Sequence, residues 1–287
     1  MLYAIFSLCR VAKYVPLIYH NHKRKSIAGL SFDLIFWTSL SALLRAIHVL
    51  LLRYNATTRE QYALRFPLTP VPDETFVTAK GFPPASPPGA SLTELAILLG
   101  TVILMGGYCG LYQTRKLYWR SRTEAQSISG ITLIFLVIAF FLLPCSLYFM
   151  WGSHLNWLDC VYYLYTVGEV AGWFQYIPQI SVNFMCQSTA GLSIWYLAVD
   201  SAGIVALWMC LVAKCYHFRD ARELAWPNSL FFYALFTTVA LLKLLSQHFL
   251  IYRHRKVRSK RIRGEEYELV ETYPRERADW DIRLDTQ

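Results

Sequence analysis

The stretch Tyr176-Ile177-Pro178-Gln179, continued through Asn183 to Ser188-Thr189-Ala190-Gly191-Leu192-Ser193, decides the fold because the chain contains it twice. Residues Tyr14 to Ser31 align on Tyr176 to Ser193 without a gap, at a spacing of 162, and nine of the eighteen positions are identical. The shared residues include Tyr14/Tyr176, Pro16/Pro178, Asn21/Asn183, Ser26/Ser188 and the run Ala28-Gly29-Leu30-Ser31 against Ala190-Gly191-Leu192-Ser193. Self-similarity of this kind marks a duplicated structural unit. Each copy closes one apolar run, turns, and opens the next.

The surrounding runs are long enough to cross a membrane, which takes about 20 mostly apolar residues. Seven such spans are expected, at 1–20, 32–53, 92–113, 130–151, 158–184, 190–213 and 229–252. The fold class is then an all-α multi-pass membrane protein, with spans 1–3 and 5–7 as two parallel triple-helix repeats and span 4 as connector. An even number of spans separates the copies, so both enter their turns from the same side. The expected units are residues 1–113, 114–157, 158–252 and a tail at 253–287. Residues 54–91 are polar and carry Pro67, Pro70, Pro72, Pro83, Pro84, Pro87 and Pro88, which predicts a loop and no helix.

Composition agrees. Of the 287 residues 55% are hydrophobic and only 16% charged, against roughly a quarter charged in a soluble domain. That excludes a disordered scaffold and an ordinary soluble enzyme. The 9 Trp, 19 Tyr and 17 Phe suit the two interfaces of a lipid bilayer. The net charge of +9 is spread between apolar spans, which argues for membrane-flanking loops and against nucleic acid. The seven cysteines include no C-x-x-C pair, so they read as small apolar residues and not as a disulfide or metal framework. Arg10 and Lys13 interrupt the first apolar run, which does not resemble a cleavable signal peptide. No cofactor, no metal and no enzymatic elbow is expected.

Loop cations set the orientation. With seven spans, one side collects fourteen Lys and Arg, from Lys23, Arg24 and Lys25, through Arg115, Lys116, Arg120 and Arg122, to the basic start of the tail. The other side collects seven, among them Arg53, Arg59, Arg65 and Lys214. The first side is expected in the cytosol, with a luminal N-terminus and a cytosolic tail. Asn55-Ala56-Thr57, the one N-x-[ST] sequon, then falls on the luminal side as a glycosylation candidate.

These residues resemble the PQ-loop repeat family. Tyr176-Ile177-Pro178-Gln179 with Ser188-Thr189-Ala190-Gly191-Leu192-Ser193 looks like its motif, and so does Tyr14-Val15-Pro16-Leu17 with Ser26-Ile27-Ala28-Gly29-Leu30-Ser31-Phe32-Asp33, although this copy reads Pro-Leu in place of Pro-Gln. The resemblance covers about residues 1–255. Within the family the chain is most similar to the cystinosins, lysosomal proton-coupled cystine exporters, through Gly29-Leu30-Ser31-Phe32-Asp33, Asp200, and Gln247-His248-Phe249. It departs from them at Gly168, where they carry a lysine, and at Leu241, where they carry an acid.

Three acids are candidate proton-coupling residues. Asp200 lies seven residues beyond Ser193, about 10 Å along a helix, where an acid costs ~2.5–3.5 kcal/mol to insert and therefore faces a cavity or a partner. A structural pair with a cation such as Lys243 is the competing reading. Asp33 stands at a helix start, where the dipole alone favours an acid; the resemblance adds a functional reading. Glu169 is deep, nine residues before Pro178, with depth as its only warrant and pairing with a neighbouring cation as the competing reading. Gln179, Asn183 and Asn21 either bind solute or join helices. Pro16 and Pro178 remove a backbone donor at equivalent places and read as hinges or as static kinks. His48 and His248 read as interfacial or packing residues, and Arg10, Lys13 and Arg45 either snorkel or pair with acids. Tyr267-Glu268-Leu269-Val270 fits a tyrosine-based sorting signal, with Tyr267 and Val270 as the residues read by cytosolic adaptors.

The function these readings imply is export of a small amino-acid-like solute together with protons from a vacuole or lysosome, by alternating access across the lipid bilayer. The alternative is a non-transporting PQ-loop protein that acts in lipid scrambling, in trafficking or as a receptor.

Overall fold

The computed structural model describes residues 2–65, 92–118, 121, 126–152, 154–218 and 229–252. The described residues form helices and turns with no strand. In chain order the helices are α1 (Leu2–Ala12), α2 (Tyr14–Arg24), α3 (Phe32–Tyr54), α4 (Ala56–Arg65), α5 (Leu92–Thr101), α6 (Gly130–Trp151), α7 (Trp157–Phe174), α8 (Ile177–Cys186), α9 (Ile194–Phe218) and α10 (Ser229–Ser246). Two π-helical stretches, Val102–Leu117 and Gln247–Ile251, prolong α5 and α10. The basic tail, with Tyr267 and Val270, lies outside the described residues.

Among the described residues, six stretches are long and apolar enough to cross a membrane: Leu2–Arg24, Phe32–Tyr54, Leu92–Leu117, Gly130–Trp151, Ile194–Tyr216 and Leu230–Ile251. The fifth of the seven expected spans differs. It is broken at Gln175–Tyr176 into α7 and α8, and α7 carries Asp159 and Glu169, which lower its hydropathy. α6 buries little besides Thr132 and exposes Ile131, Val137, Phe140 and Phe141. An apolar surface of this extent marks contact with lipid or a partner.

The prolines explain the breaks. A proline clashes with the carbonyl four residues earlier. Four residues before Pro16 is Ala12, where α1 ends, and four before Pro178 is Phe174, where α7 ends. Lys13 sits at the first break and Gln175–Tyr176 at the second.

The turns after α2 and α8 are built alike. Lys25 and Gln187, the two described non-glycine residues with positive φ (49° and 47°), close these helices, donating from their N–H to carbonyls that include Asn21 and Asn183. Such left-handed caps satisfy the last helical carbonyls. The Ser26 and Ser188 hydroxyls then accept from Ala28 N and Ala190 N, each at 3.2 Å. Gly29 has φ 84°, a conformation that favours glycine. The two turns meet: a Cβ on Gly191 would lie 2.0 Å from the Gly29 carbonyl carbon.

Packing crosses from one copy to the other. α3 packs most extensively against α7, and α1 against α9. Small residues permit the approach. A Cβ on Gly172 would meet Ser41 Oγ at 2.9 Å, and one on Gly203 would meet Cys9 Cβ at 2.8 Å.

The expectation of a helix-free segment at 54–91 is corrected at its start, where α4 occupies Ala56–Arg65. The prolines begin only at Pro67, so nothing in 56–65 breaks a helix. Asn55 Oδ1 caps the helix by accepting from Thr58 N at 3.0 Å. α4 in turn supports α7: Gln61 Oε1 accepts from Leu158 N at 2.8 Å, Thr58 Oγ1 accepts from Trp157 Nε1 at 2.9 Å, and Arg65 pairs with Asp159.

Candidate functional site

A small, partly open pocket of about 20 Å³, room for about one water molecule, lies among α1, α2, α3, α7, α10 and Thr101 of α5. Its wall includes Arg10, Lys13, Arg45, Thr38, Gln175 and Tyr233. Both helix breaks border it, which exposes a lysine and a glutamine that an unbroken helix would carry on its flank.

Asp200 lies beside this wall. Its Oδ1 accepts from Lys13 Nζ at 2.8 Å, and both side chains are buried. Tyr176 OH donates to Asp200 Oδ2 and accepts from Lys13 Nζ at 3.0 Å. With that proton committed, the 2.9 Å contact between Tyr176 and Tyr196 is a donation by Tyr196. The rings of Tyr14, Tyr176 and Tyr196 surround the ammonium at 5.3, 5.4 and 5.6 Å, close enough for cation–π attraction. The partner of Asp200 is therefore Lys13 and not Lys243, which is exposed on α10. Lys13 reaches Asp200 because the break before Pro16 places it at the α1–α9 crossing.

The position equivalent to Lys13 in the second copy is Gln175, and the position equivalent to Asp200 in the first is Thr38. These two also touch: Thr38 Oγ1 donates to Gln175 Oε1 at 3.0 Å. One crossing carries a charged pair and the other a neutral pair.

A second ionic cluster adjoins the cavity. Glu94 Oε1 takes Arg10 at 2.9 Å and Arg45 at 3.0 Å, while Arg45 Nε lies 3.0 Å from Glu169 Oε1. The Glu169 contact is one of charge without a well-aligned hydrogen bond. The space a side chain at Gly168 would need is filled by Arg45 Cγ, 3.1 Å from an ideal Cβ.

The remaining candidates lie away from the cavity. Gln179 is fully buried: its Oε1 accepts from Ser31 N, and its Nε2 donates to Gly29 O and to Asn183 Oδ1, all at 2.8 Å. It clasps the first turn to the second copy. Asn183 Nδ2 donates to Gln247 Oε1 at 3.0 Å, and Gln247 Nε2 to Ile180 O at 3.1 Å. Asn21 repeats this with Gln113, at 3.2 Å, and Gln113 with Ile18 O at 3.0 Å. Both glutamines sit in π-helical stretches. Asp33 Oδ2 accepts from Ser129 N at 3.0 Å, tying the start of α3 to the start of α6. Asn55 serves as the cap described above. His48 packs against Tyr162 and Tyr165, and His248 Nδ1 meets Thr189 Oγ1 at 2.8 Å.

Sequence reading did not single out Glu94 or Gln113, cited Gln247 only within a motif and gave it no role, and left Lys13 without a named partner. The available signal was positional. Lys13 and Gln175 share a place in the repeat, and Glu94 is the one acid at the apolar start of its span.

Comparison with known proteins agrees with the duplicated geometry. The PQ loop repeat model matches residues 1–58 and again 161–218. The chain is a multi-pass membrane protein with two stretches that match the PQ loop repeat. Among curated proteins it is similar to cystinosin of Drosophila melanogaster, 24% identical over 242 residues (84% of this chain, 55% of that protein). Cystinosin of Bos taurus is 21% identical over 249 residues, 87% of this chain and 62% of that protein. A putative uncharacterized protein of Saccharomyces cerevisiae is 29% identical over 186 residues, 61% of this chain and 65% of its own length. The chain thus spans between about half and two thirds of the length of these relatives.

Proposed function

We propose that this chain is a proton-coupled carrier that exports a small amino-acid-like solute, cystine or a related one, from a vacuole or lysosome to the cytosol. In this reading α7–α8 is a seventh span. Residues 1–113 and 158–252 are two parallel triple-helix repeats joined by α6, the N-terminus is luminal, and the tail after residue 252 is cytosolic and open to sorting adaptors. Parallel repeats with a midplane site between them are common in transporters.

The observation that carries the reading is the buried Lys13–Asp200 pair beside a small cation-lined pocket, at a crossing between the two repeats. An intramembrane acid is expensive and is retained where it serves a pathway or a proton relay. Asp200 takes the proton, and Glu169 and Asp33 are the further coupling candidates. The breaks before Pro16 and Pro178 let α2 and α8 swing with their turns. In this reading the contact between Gly29 and Gly191 closes the cytosolic end and the pocket serves the lumen. Rocking the repeats parts the turns and opens the other side. Gln179, Asn183 and Asn21 join helices during this movement. Cystinosin relatives and the two repeat matches support the class of activity. The test is tracer flux from liposomes holding the purified full chain with an acidic interior, screened over cystine, amino acids and sugars.

A further inference from the structure

Three cations border the cavity, Arg10, Lys13 and Arg45, and no carboxylate does among the described residues that line it. The acids stand behind them. Glu94 and Glu169 hold Arg10 and Arg45, two acids for two guanidiniums. Lys13 has Asp200. The whole cluster is neutral only while Asp200 is ionised. A proton on Asp200 leaves Lys13 unbalanced, at the edge of a cavity whose other cations are already held. The groups that face the pair from the neighbouring elements are Cys9 on α1, Tyr14 on α2, Tyr176 at the second break, Tyr196 on α9 and Tyr233 on α10. None is a carboxylate, so none can take over from Asp200.

The other crossing gives the reference. There the neutral pair Thr38–Gln175 meets at the equivalent place, with Thr38 as donor and Gln175 as acceptor, the reverse of Lys13 donating to Asp200. The scaffold therefore needs a polar contact at this place and not a charged one. A buried ion pair is a poor source of stability, because desolvation offsets the attraction.

Resting on the carrier reading above, we infer that Lys13 is the solute-binding cation of this site, released when Asp200 takes a proton, and that the solute is recognised by a carboxylate. Proton and solute then bind in aid of each other: the proton frees the ammonium, and the carboxylate restores the lost negative charge. A small amine without a carboxylate has no place in the site.

The test uses the full chain in lipid nanodiscs and reads ligand-induced shifts of the unfolding temperature. The probes are the carboxylates cystine, glutamate, alanine and lactate, and the amines cystamine, ethylamine and cadaverine. At least one carboxylate is expected to bind about tenfold more tightly at acidic than at neutral pH, a usual size for linked binding, and no amine to bind comparably. Lys13→Gln should abolish that pH-dependent gain. Should the single variant fold poorly, Lys13→Gln combined with Asp200→Thr copies the neutral pair, and this variant should fold yet lose the response. The inference is overturned if no carboxylate outbinds its amine counterparts, or if the double variant keeps the pH-dependent carboxylate response. Flux separates the two readings. Carboxylate-selective binding without flux supports this site and overturns the carrier, whereas flux of a solute lacking a carboxylate supports the carrier and overturns this site.

Discussion

Lys13 Nζ donates to Asp200 Oδ1 at 2.8 Å, and the residues at the same two places in the repeat, Gln175 and Thr38, also meet, without charge and with Thr38 as the donor. The duplicated contact occupies equivalent places and differs in chemistry between the two copies. Removing one partner of a buried pair strands the other and costs about 3–5 kcal/mol, whereas replacing both is often neutral. Asp200→Asn and Lys13→Met are each expected to lower the unfolding temperature, and Lys13→Gln with Asp200→Thr to recover most of the loss. A double variant no more stable than the worse single one would mean that the charge itself holds the crossing.

The meeting of the turns makes Gly191 a sensitive glycine. Its Cβ would overlap the Gly29 carbonyl at 2.0 Å, while a Cβ on Gly29 approaches Gly191 N at 3.1 Å. Overpacking of this kind costs about 1–3 kcal/mol. Gly191→Ala should lower stability and slow flux through the overlap, and Gly29→Ala through the strain of a side chain at φ 84°, as read by unfolding temperature and initial rate. A Gly191→Ala variant as stable as the natural chain would show that the turns do not close on each other in the membrane.

Gln179 discriminates between solute binding and helix joining. Its oxygen accepts from Ser31 N, and its amide nitrogen donates to Gly29 O and Asn183 Oδ1. Gln179→Ala should reduce thermal stability and maximal flux and leave KM within about twofold, as expected when an interaction outside the ligand contacts is lost. A large rise in KM with unchanged stability would place Gln179 at the solute.

The orientation rests on loop cations. Protease added to intact organelles should remove the tail beyond residue 252 and spare residues 54–91. A protected tail would reverse it. Tyr267→Ala should shift the protein toward the cell surface if adaptors read Tyr267 and Val270; an unchanged distribution would rule that signal out.

The duplicated stretch made the turns legible. Pro16 and Pro178, Ser26 and Ser188, and Gly29 and Gly191 all act at equivalent places, because local geometry follows from local sequence. Asp200 was legible by depth. Its partner was not, because Lys13 is remote in sequence and meets Asp200 only through the α1–α9 crossing. Lys243 looked equally plausible along the chain, but its helix turns it outward. Glu94 and Gln113 were missed for the same reason: their partners come from other helices. Helix α4 was hidden by the prolines that follow it, although Asn55 and the proline-free run to Arg65 were there to be read.

The most direct measurement is proton-driven tracer flux by Asp200→Asn in liposomes, scaled to the folded protein recovered from them and run beside the natural chain. Asparagine keeps the shape and can still bond to Tyr176 and Lys13, but it cannot carry a proton. The account predicts that flux driven by the pH gradient is lost in the folded variant. Flux with the same pH dependence as the natural chain would show that Asp200 is not the proton carrier.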